Sequence, residues 1–176
     1  MTDDKQQQTE LNHDTQKAPK KWHPLSLIWL IPSIIVIILD QLSKLWIVTY
    51  LTENTPIHVT SFFSLRLLFN QGAAFSFLSQ QGGWQVLFLS ILAMVITLIL
   101  FIWLLRTPAK RFFYCCGFSL VIGGAIGNLI DRLRLGHVID FLYFHYHQYY
   151  WPAFNIADSC VCIGVFLLII ALWRHK

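Results

Sequence analysis

Long apolar segments separated by polar connections dominate the pattern of this chain. Four segments are nearly free of charge, at residues 25–39 with a continuation to 48, then 84–105, 112–130 and 154–173. Each is long enough to cross roughly 30 Å of hydrocarbon, for which a helix needs about 20 residues. Because backbone amides in lipid must be satisfied within the segment, helices are predicted at about 25–49, 84–105, 112–132 and 154–173. The predicted fold class is an all-α membrane protein with four transmembrane helices.

The connection at residues 51–83 differs from the others in length and in pattern. Between Ile57 and Phe69, β-branched and aromatic residues partly alternate with polar ones, and Asn70-Gln71-Gly72 is a turn signal. A connection of this length is too long for a simple link between helices. The fold prediction therefore includes a small β-containing extracytoplasmic platform in the first outer connection.

Composition excludes a soluble globular domain. Hydrophobic residues make up 56% of the chain and charged residues 12%, which leaves too little polar surface to cover a globule.

Residues 1–22 are polar and lack an apolar period, so they are predicted to be a disordered cytoplasmic tail before one membrane domain at 23–174. The first apolar run continues through Asp-Gln-Leu-Ser-Lys without a small-x-small cleavage site. It is therefore predicted to be a retained anchor.

The distribution of Lys and Arg predicts the orientation of the helices. Of the 13 Lys and Arg residues, all but Lys44, Arg66, Arg132 and Arg134 lie in the N-terminal tail, the second connection and the C-terminal tail. Cytoplasmic loops carry the excess of positive charge, so both termini are predicted to be cytoplasmic. The first and third connections are then predicted to lie outside.

Asp140 and Asp158 form the candidate catalytic pair. Asp140 follows the third apolar segment and Asp158 lies just inside the fourth, so both are predicted at the outer face. A carboxylate beside strongly apolar sequence is costly to bury, which indicates a function. When two carboxyl groups share a site, repulsion and desolvation keep one protonated while the other ionises. One could then activate water and the other donate a proton to a peptide carbonyl, and which is the base stays open.

Further polar residues inside the apolar segments are candidates for supporting roles. Asp40 and Lys44 are four residues apart on one helical face, where they either neutralise each other at the interface or serve a function. Asn128 and Asp131 also share a face, and Arg132 follows as the adjacent cation of Asp131. These three are predicted to tie the helix end to its neighbours or to hold the outer loop that follows.

Neither the cysteines nor the histidines predict a metal site. Cys115 and Cys116 lie near the cytoplasmic end of the third segment, whereas Cys160 and Cys162 lie near the outer end of the fourth, so four-ligand convergence is implausible. The histidines of residues 137–147 alternate with Tyr, Phe and Trp. That mixture is typical of an aromatic belt at the membrane interface, which is the interpretation preferred over a metal site.

Five blocks, in order along residues 22–174, resemble the signal peptidase II family, the bacterial lipoprotein signal peptidases. One block alone would be weak, but five in sequence are specific. The blocks are Asp40-Gln41-x-x-Lys44, Asn70-x-Gly72-Ala73-Ala74-Phe75, Gly123-Gly124-x-x-Gly127-Asn128-x-x-Asp131-Arg132, Val138-x-Asp140-Phe141 and Phe154-Asn155-x-Ala157-Asp158.

The resemblance implies an aspartic endopeptidase that removes signal peptides from prolipoproteins, cutting on the N-terminal side of a diacylglyceryl-modified cysteine. It assigns catalysis to Asp140 and Asp158. It assigns substrate binding or support of the site to Asp40, Lys44, Asn70, Gly72, Asn128, Asp131, Arg132 and Asn155. The implied partners are diacylglyceryl-modified prolipoproteins, membrane lipid and globomycin-type inhibitors, with no metal, organic cofactor or nucleic acid. We expect a monomer in the bacterial inner membrane, with its active site at the outer face.

Two functions of other classes stay open. A small proton-coupled transporter could use Asp40 in a relay, although a relay favours carboxylates near the bilayer midplane and often an internal repeat. A non-enzymatic assembly or anchoring subunit would make Asp140 and Asp158 merely interfacial residues. Tolerance of Asn at both positions would favour the anchoring subunit.

Overall fold

The computed structural model describes residues 22–53, 55–72 and 83–174. Four helices and a four-stranded antiparallel sheet make up this part of the chain. The helices are α1 (Leu30–Tyr50), preceded by a 3-10 helix (Pro24–Trp29), α2 (Trp84–Leu105), α3 (Phe112–Leu135) and α4 (Ile156–Trp173). The strands are β1 (Ile57–His58), β2 (Phe63–Asn70), β3 (Val138–Tyr146) and β4 (Tyr149–Tyr150). All four helices are long and apolar enough to span a membrane, which confirms the predicted fold class.

Two groups of predicted features lie outside the described residues. The polar tail predicted at 1–22 is among them, apart from Trp22. Ala73, Ala74 and Phe75 of the second block are also outside.

Helix α3 is the centre of the bundle, because it packs against α1, α2 and α4. Glycines make the closest of these contacts possible. A Cβ atom at Gly124 would lie 2.3 Å from the carbonyl oxygen of Ala157 on α4, and one at Gly123 would lie 2.8 Å from that of Ser33 on α1. These positions have room only for hydrogen, so the two helices approach α3 more closely than any side chain would allow.

Polar contacts fix one end of the bundle around the connection between α2 and α3. The His23 amide donates to the Leu105 carbonyl at 2.8 Å, and the Trp29 indole donates to the Ala109 carbonyl at 3.1 Å. The Ser26 hydroxyl donates to the Thr107 carbonyl in the same region. The sheet lies at the opposite end, beside the C-terminal end of α1.

The sheet has the strand order β1-β2-β3-β4 and draws on two connections. Strands β1 and β2 confirm the β-structure predicted in the connection between the first two helices. Strands β3 and β4 come from the third connection, so the prediction of a simple aromatic belt there was incomplete. The reason is physical: Val138, Ile139, Asp140 and Phe141 are all buried. A strand enclosed on both faces lacks the alternation by which a half-buried strand is predicted.

An apolar cluster seats the sheet on α1. It joins Ile47 and Leu51 at the end of α1 to Leu67, Ile139 and Phe141 of the sheet. The chain enters β3 through Gly136, whose φ of 75° is left-handed and whose amide donates to the carbonyl of Arg132, ending α3. The first residues of β3 are therefore held directly above the ends of α1 and α3.

Candidate active site

Asp140 is held on β3 by two amide side chains from different parts of the chain. Its Oδ2 accepts a hydrogen bond from Nδ2 of Asn70 on β2 at 3.0 Å, and its Oδ1 accepts one from Nδ2 of Asn155 at 2.8 Å. The amide of Gly72 donates to Oδ1 of Asn70 at 2.9 Å, which fixes the orientation of that side chain. Asp140 as a residue is 3% exposed.

Asp158 belongs to the N-terminal cap of α4. Oδ1 of Asn155 accepts from the Asp158 amide at 2.9 Å, and Oδ2 of Asp158 accepts from the Asn155 amide at 3.2 Å, which is a capping box. The other oxygen, Oδ1, accepts from Nδ2 of Asn128 on α3 at 2.7 Å. Helix capping therefore sets the position of this carboxyl group.

Backbone pairing brings the two aspartates to one place. The amide and carbonyl of Phe154 pair with those of Leu142 on β3, at 3.1 and 2.8 Å. Asn155 follows directly, and its Nδ2 reaches Asp140 while its backbone and Oδ1 hold Asp158. One asparagine thus contacts both members of the predicted catalytic pair.

Asp140 and Asp158 line the same cavity, which has a volume of about 390 Å³. Asn70, Asn128 and Arg132 contribute the other polar predicted residues of its wall. Most of the remaining wall is apolar and was not predicted from the sequence: Val138, Trp151, Pro152, Ala153, Phe154, Val161 and Cys162. Apolar residues in apolar sequence carry no separate signal, so only the fold could identify them.

Burial raises the pKa of the Asp140 carboxyl group to about 7, and the nearby charge of Asp158 adds to the rise. Hydrogen bonds from Asn70 and Asn155 and the charge of Lys44 oppose it. Asp140 therefore titrates near neutral pH. At neutral pH such a group can be either protonated or ionised, so it can donate or accept a proton.

A buried ion network lies beneath the cavity. Nζ of Lys44 is 2.8 Å from Oδ2 of Asp40 and 2.8 Å from Oδ2 of Asp131, and all three side chains are at most 3% exposed. Asp40 and Lys44 are paired, but inside the protein and not at an exposed interface. The cation within ion-pair distance of Asp131 is Lys44, because α1 packs against that face of α3, and the charge of the sequence neighbour Arg132 also acts on Asp131.

The network is connected to Asp158 through Asn128. Lys44 Nζ donates to Oδ1 of Asn128 at 3.0 Å, so the amide group of Asn128 must present Nδ2 to Asp158. On the other side, Oδ1 of Asp40 accepts from the Ala157 amide in the first turn of α4 at 3.0 Å. The network therefore positions α4 as well as the carboxyl group.

Gln41 belongs to this network and was not among the predicted site residues. Its Nε2 donates to Oδ1 of Asp131 at 2.9 Å and to the Gly127 carbonyl at 3.2 Å. The signal that could have found it is an amide side chain in the apolar first segment, next to Asp40.

Arg132 points into the cavity from the end of α3. Its charge lies near those of Asp158, Asp140 and Asp131. In the part of the chain that the structure describes, its buried Nε has no hydrogen-bond partner. A buried guanidinium N–H at the wall of a cavity is available to a ligand carbonyl or carboxylate.

Within residues 22–53, 55–72 and 83–174, no three His, Cys, Asp or Glu side chains are placed to hold a metal ion together. The ring of His137 contacts that of Phe69 in a tilted arrangement, with ring centroids 4.6 Å apart. His145 bonds instead to Ser64. The histidines of the third connection therefore do not converge on Asp140.

Comparison with known proteins relates this arrangement to one family. Residues 32–174 match the family described as signal peptidase (SPase) II. A lipoprotein signal peptidase of Coxiella burnetii is 44% identical over 89% of this chain and 93% of its own length, and one of Acinetobacter baumannii is 45% identical over 90% of each. A solved bacterial membrane enzyme superimposes with a TM-score of 0.75 at 32% identity, covering 88% of this chain and 92% of that one. The chain therefore belongs to the signal peptidase II family.

Proposed function

We propose that this chain is an aspartic endopeptidase that removes signal peptides from prolipoproteins, cutting on the N-terminal side of a diacylglyceryl-modified cysteine. The observation that carries the proposal is the placement of Asp140 and Asp158 in one cavity, both held by Asn155. Family membership supports a peptidase that processes signal peptides, and it disfavours a transporter or an anchoring subunit.

The chemistry follows from the two carboxyl groups. Asp158, as the carboxylate, takes a proton from water as the water oxygen attacks the scissile carbonyl carbon. Asp140, protonated because burial raises its pKa to about 7, donates its proton to the carbonyl oxygen. The C–N bond then breaks: Asp158 gives its proton to the leaving nitrogen, and Asp140 recovers one from the hydroxyl of the tetrahedral intermediate. Both residues return to their starting states.

The remaining polar residues would hold this geometry or the substrate. Asn70 and Gly72 orient Asp140, and Asn128 orients Asp158. Asp40, Lys44 and Asp131 act beneath them as the buried support, while Asn155 contacts both carboxyl groups. Arg132 is the candidate for binding a carbonyl of the substrate.

The position of the cavity suits a substrate that lies in the membrane. The helix end opposite the cavity carries Arg106, Lys110 and Arg111, and an excess of positive charge favours the cytoplasmic side. The cavity would then open at the outer face of the bacterial inner membrane. There a signal helix and two acyl chains can remain in lipid while the scissile bond enters between Asp140 and Asp158. Globomycin-type inhibitors would compete for this cavity, and a monomer without metal or organic cofactor would suffice.

The test uses purified protein in detergent and a synthetic signal peptide with a diacylglyceryl-cysteine, beside the same peptide with a bare cysteine. Cleavage only of the lipidated peptide, directly before the cysteine, is the expected result. Asp140→Asn and Asp158→Asn should abolish cleavage while the thermal unfolding temperature stays close to that of the unchanged protein. Substantial turnover by either variant would contradict the aspartic mechanism, and a cut at another bond would contradict the proposed cleavage site.

A further inference from the structure

A second cavity lies in the sheet, away from the catalytic one. Its volume is about 470 Å³, and its wall combines the cation of Arg66 with the imidazoles of His58, His145 and His147. None of the described residues that line it is acidic. The proposed peptidase reaction uses none of these side chains.

The alternation of side chains along β3 separates the two cavities. Asp140 and Leu142 point to one face of the strand, and Tyr143 and His145 point to the opposite face. Ser64 on β2 lies directly opposite Tyr143 and lines the second cavity with it. The second cavity is therefore independent of the catalytic pair.

Ser64 links two of the imidazoles. Its hydroxyl oxygen is 2.9 Å from Nδ1 of His58 and 3.2 Å from Nε2 of His145, and its side chain is 1% exposed. A serine hydroxyl has one proton, so it can donate to one of the rings and must accept from the other. The ring that accepts from Ser64 carries its own N–H on its other nitrogen. One imidazole N–H therefore remains to serve a ligand.

Arg66 supplies the fixed positive charge. Its guanidinium carbon lies 5.6 Å from the centroid of the Tyr143 ring, a cation–π contact that orients the group. Among the residues that the structure describes, the only carboxylates in salt bridges are those that pair with Lys44, so Arg66 has no such partner. A guanidinium whose face rests on a ring keeps its N–H edge for a bidentate acceptor.

The cavity lies at the level expected for lipid head groups. Leu67, the neighbour of Arg66, packs against Ile47 and Leu51 at the end of α1. One strand residue spans only about 3.3 Å, so the cavity begins within roughly 10 Å of the helix end. The polar layer of a bilayer extends roughly 5–7 Å beyond the hydrocarbon on each side.

We propose that this cavity binds a phosphate group. Arg66 would make the charge-assisted contact, the free imidazole N–H would add a second donor, and the absence of acidic groups from its wall suits an anion. The phosphate could belong to an anionic phospholipid beside the enzyme or be free in solution. The proposal goes beyond the peptidase function and does not depend on it.

The test measures binding of fluorescent phosphatidylglycerol to the purified protein in neutral detergent, with inorganic phosphate as the competitor. Arg66→Gln should weaken lipid binding roughly tenfold or more, since a charged hydrogen-bond donor is lost. The matched control is Arg134→Gln, an exposed cation in the last turn of α3, which should bind as the unchanged protein does. His145→Gln, expected to weaken binding roughly threefold, repeats the test if Arg66→Gln does not fold.

Competition distinguishes the two sources of phosphate. Displacement of the lipid by millimolar inorganic phosphate would assign the cavity to phosphate itself, and failure to displace it would assign the cavity to the lipid head group. Equal binding by the unchanged protein, Arg66→Gln and Arg134→Gln would overturn the proposal. The proposal would also be overturned if Arg66→Gln cleaved the lipidated peptide more slowly but bound lipid as the unchanged protein does. The cavity would then bind the peptide substrate rather than a phosphate group.

Discussion

The close contact between Gly124 and Ala157 predicts that Gly124→Ala will reduce cleavage more than Gly117→Ala, although both add a methyl group to the interface between α3 and α4. A Cβ atom at Gly124 would lie 2.3 Å from the Ala157 carbonyl oxygen. Ordinary contact needs roughly 1 Å more, so α4 must move by about that distance. Ala157 adjoins Asp158, whose Oδ1 is 2.7 Å from Asn128. A misplacement of about 1 Å in a catalytic group can cost roughly 100-fold in rate.

Gly117→Ala is the matched control. Its Cβ would meet the Gly164 carbonyl oxygen at 2.9 Å, so it also forces α3 and α4 apart, but it lies two turns from Gly124. Overpacking by either residue should cost about 1–3 kcal/mol of stability. We expect a lower unfolding temperature in detergent for both variants and a roughly 100-fold fall in kcat for Gly124→Ala alone. Equal kcat values for the two variants would refute the link between helix spacing and the position of Asp158.

Two further predictions concern charge. Because burial raises the pKa of Asp140 to about 7, its acid form is lost above that pH, and kcat/KM should fall there roughly tenfold per pH unit. Asn70→Leu removes a hydrogen bond that lowers this pKa, so the alkaline fall in its pH profile should begin at a higher pH. An unchanged profile would contradict the role of Asp140 as the acid. Lys44→Met leaves Asp40 and Asp131 buried without their cation and should lower the stability of the protein by about 3–5 kcal/mol. Thermal unfolding measures the effect, with Lys110→Met in the α2–α3 connection as the control. Equal unfolding temperatures for the two variants would show that the network contributes little.

The sequence was sufficient for the helices because the membrane imposes one physical requirement on each of them. A segment that satisfies its own amides and spans the hydrocarbon must be long, apolar and helical, and all three properties are visible in a linear sequence. The first strands were also predictable, since β-branched and aromatic residues partly alternate with polar ones between Ile57 and Phe69, although a register shift between Leu65 and Leu68 interrupts the pairing of β2 with β3. β3 was not, because both faces of its first half are buried and its sequence therefore lacks alternation. Enclosure depends on residues far away in the sequence.

Partners in the polar network were predictable only within one helix. The four-residue spacing of Asp40 and Lys44 places them on the same face, and the pair is present at 2.8 Å. Arg132 is the adjacent cation of Asp131 and its charge acts on that carboxylate, but the cation within ion-pair distance of Asp131 is Lys44 from α1. Spacing along a helix therefore predicts which residues share a face, whereas the residues that they contact depend on which helix packs against that face.

Lys44 also explains why a charge network can lie so close to the proposed catalytic pair. Asp40, Lys44 and Asp131 together carry a net charge of about −1 when all are ionised, which by itself would favour proton uptake nearby. Lys44, however, is the member whose Nζ contacts Asn128, so the positive end of the network points towards Asp158. The charge of Lys44 also opposes the rise in the pKa of Asp140 that burial and the charge of Asp158 cause. The two carboxyl groups share Asn155 but differ in their other amide donor, which is Asn70 for Asp140 and Asn128 for Asp158. That difference in surroundings is what the proposed division into base and acid would use.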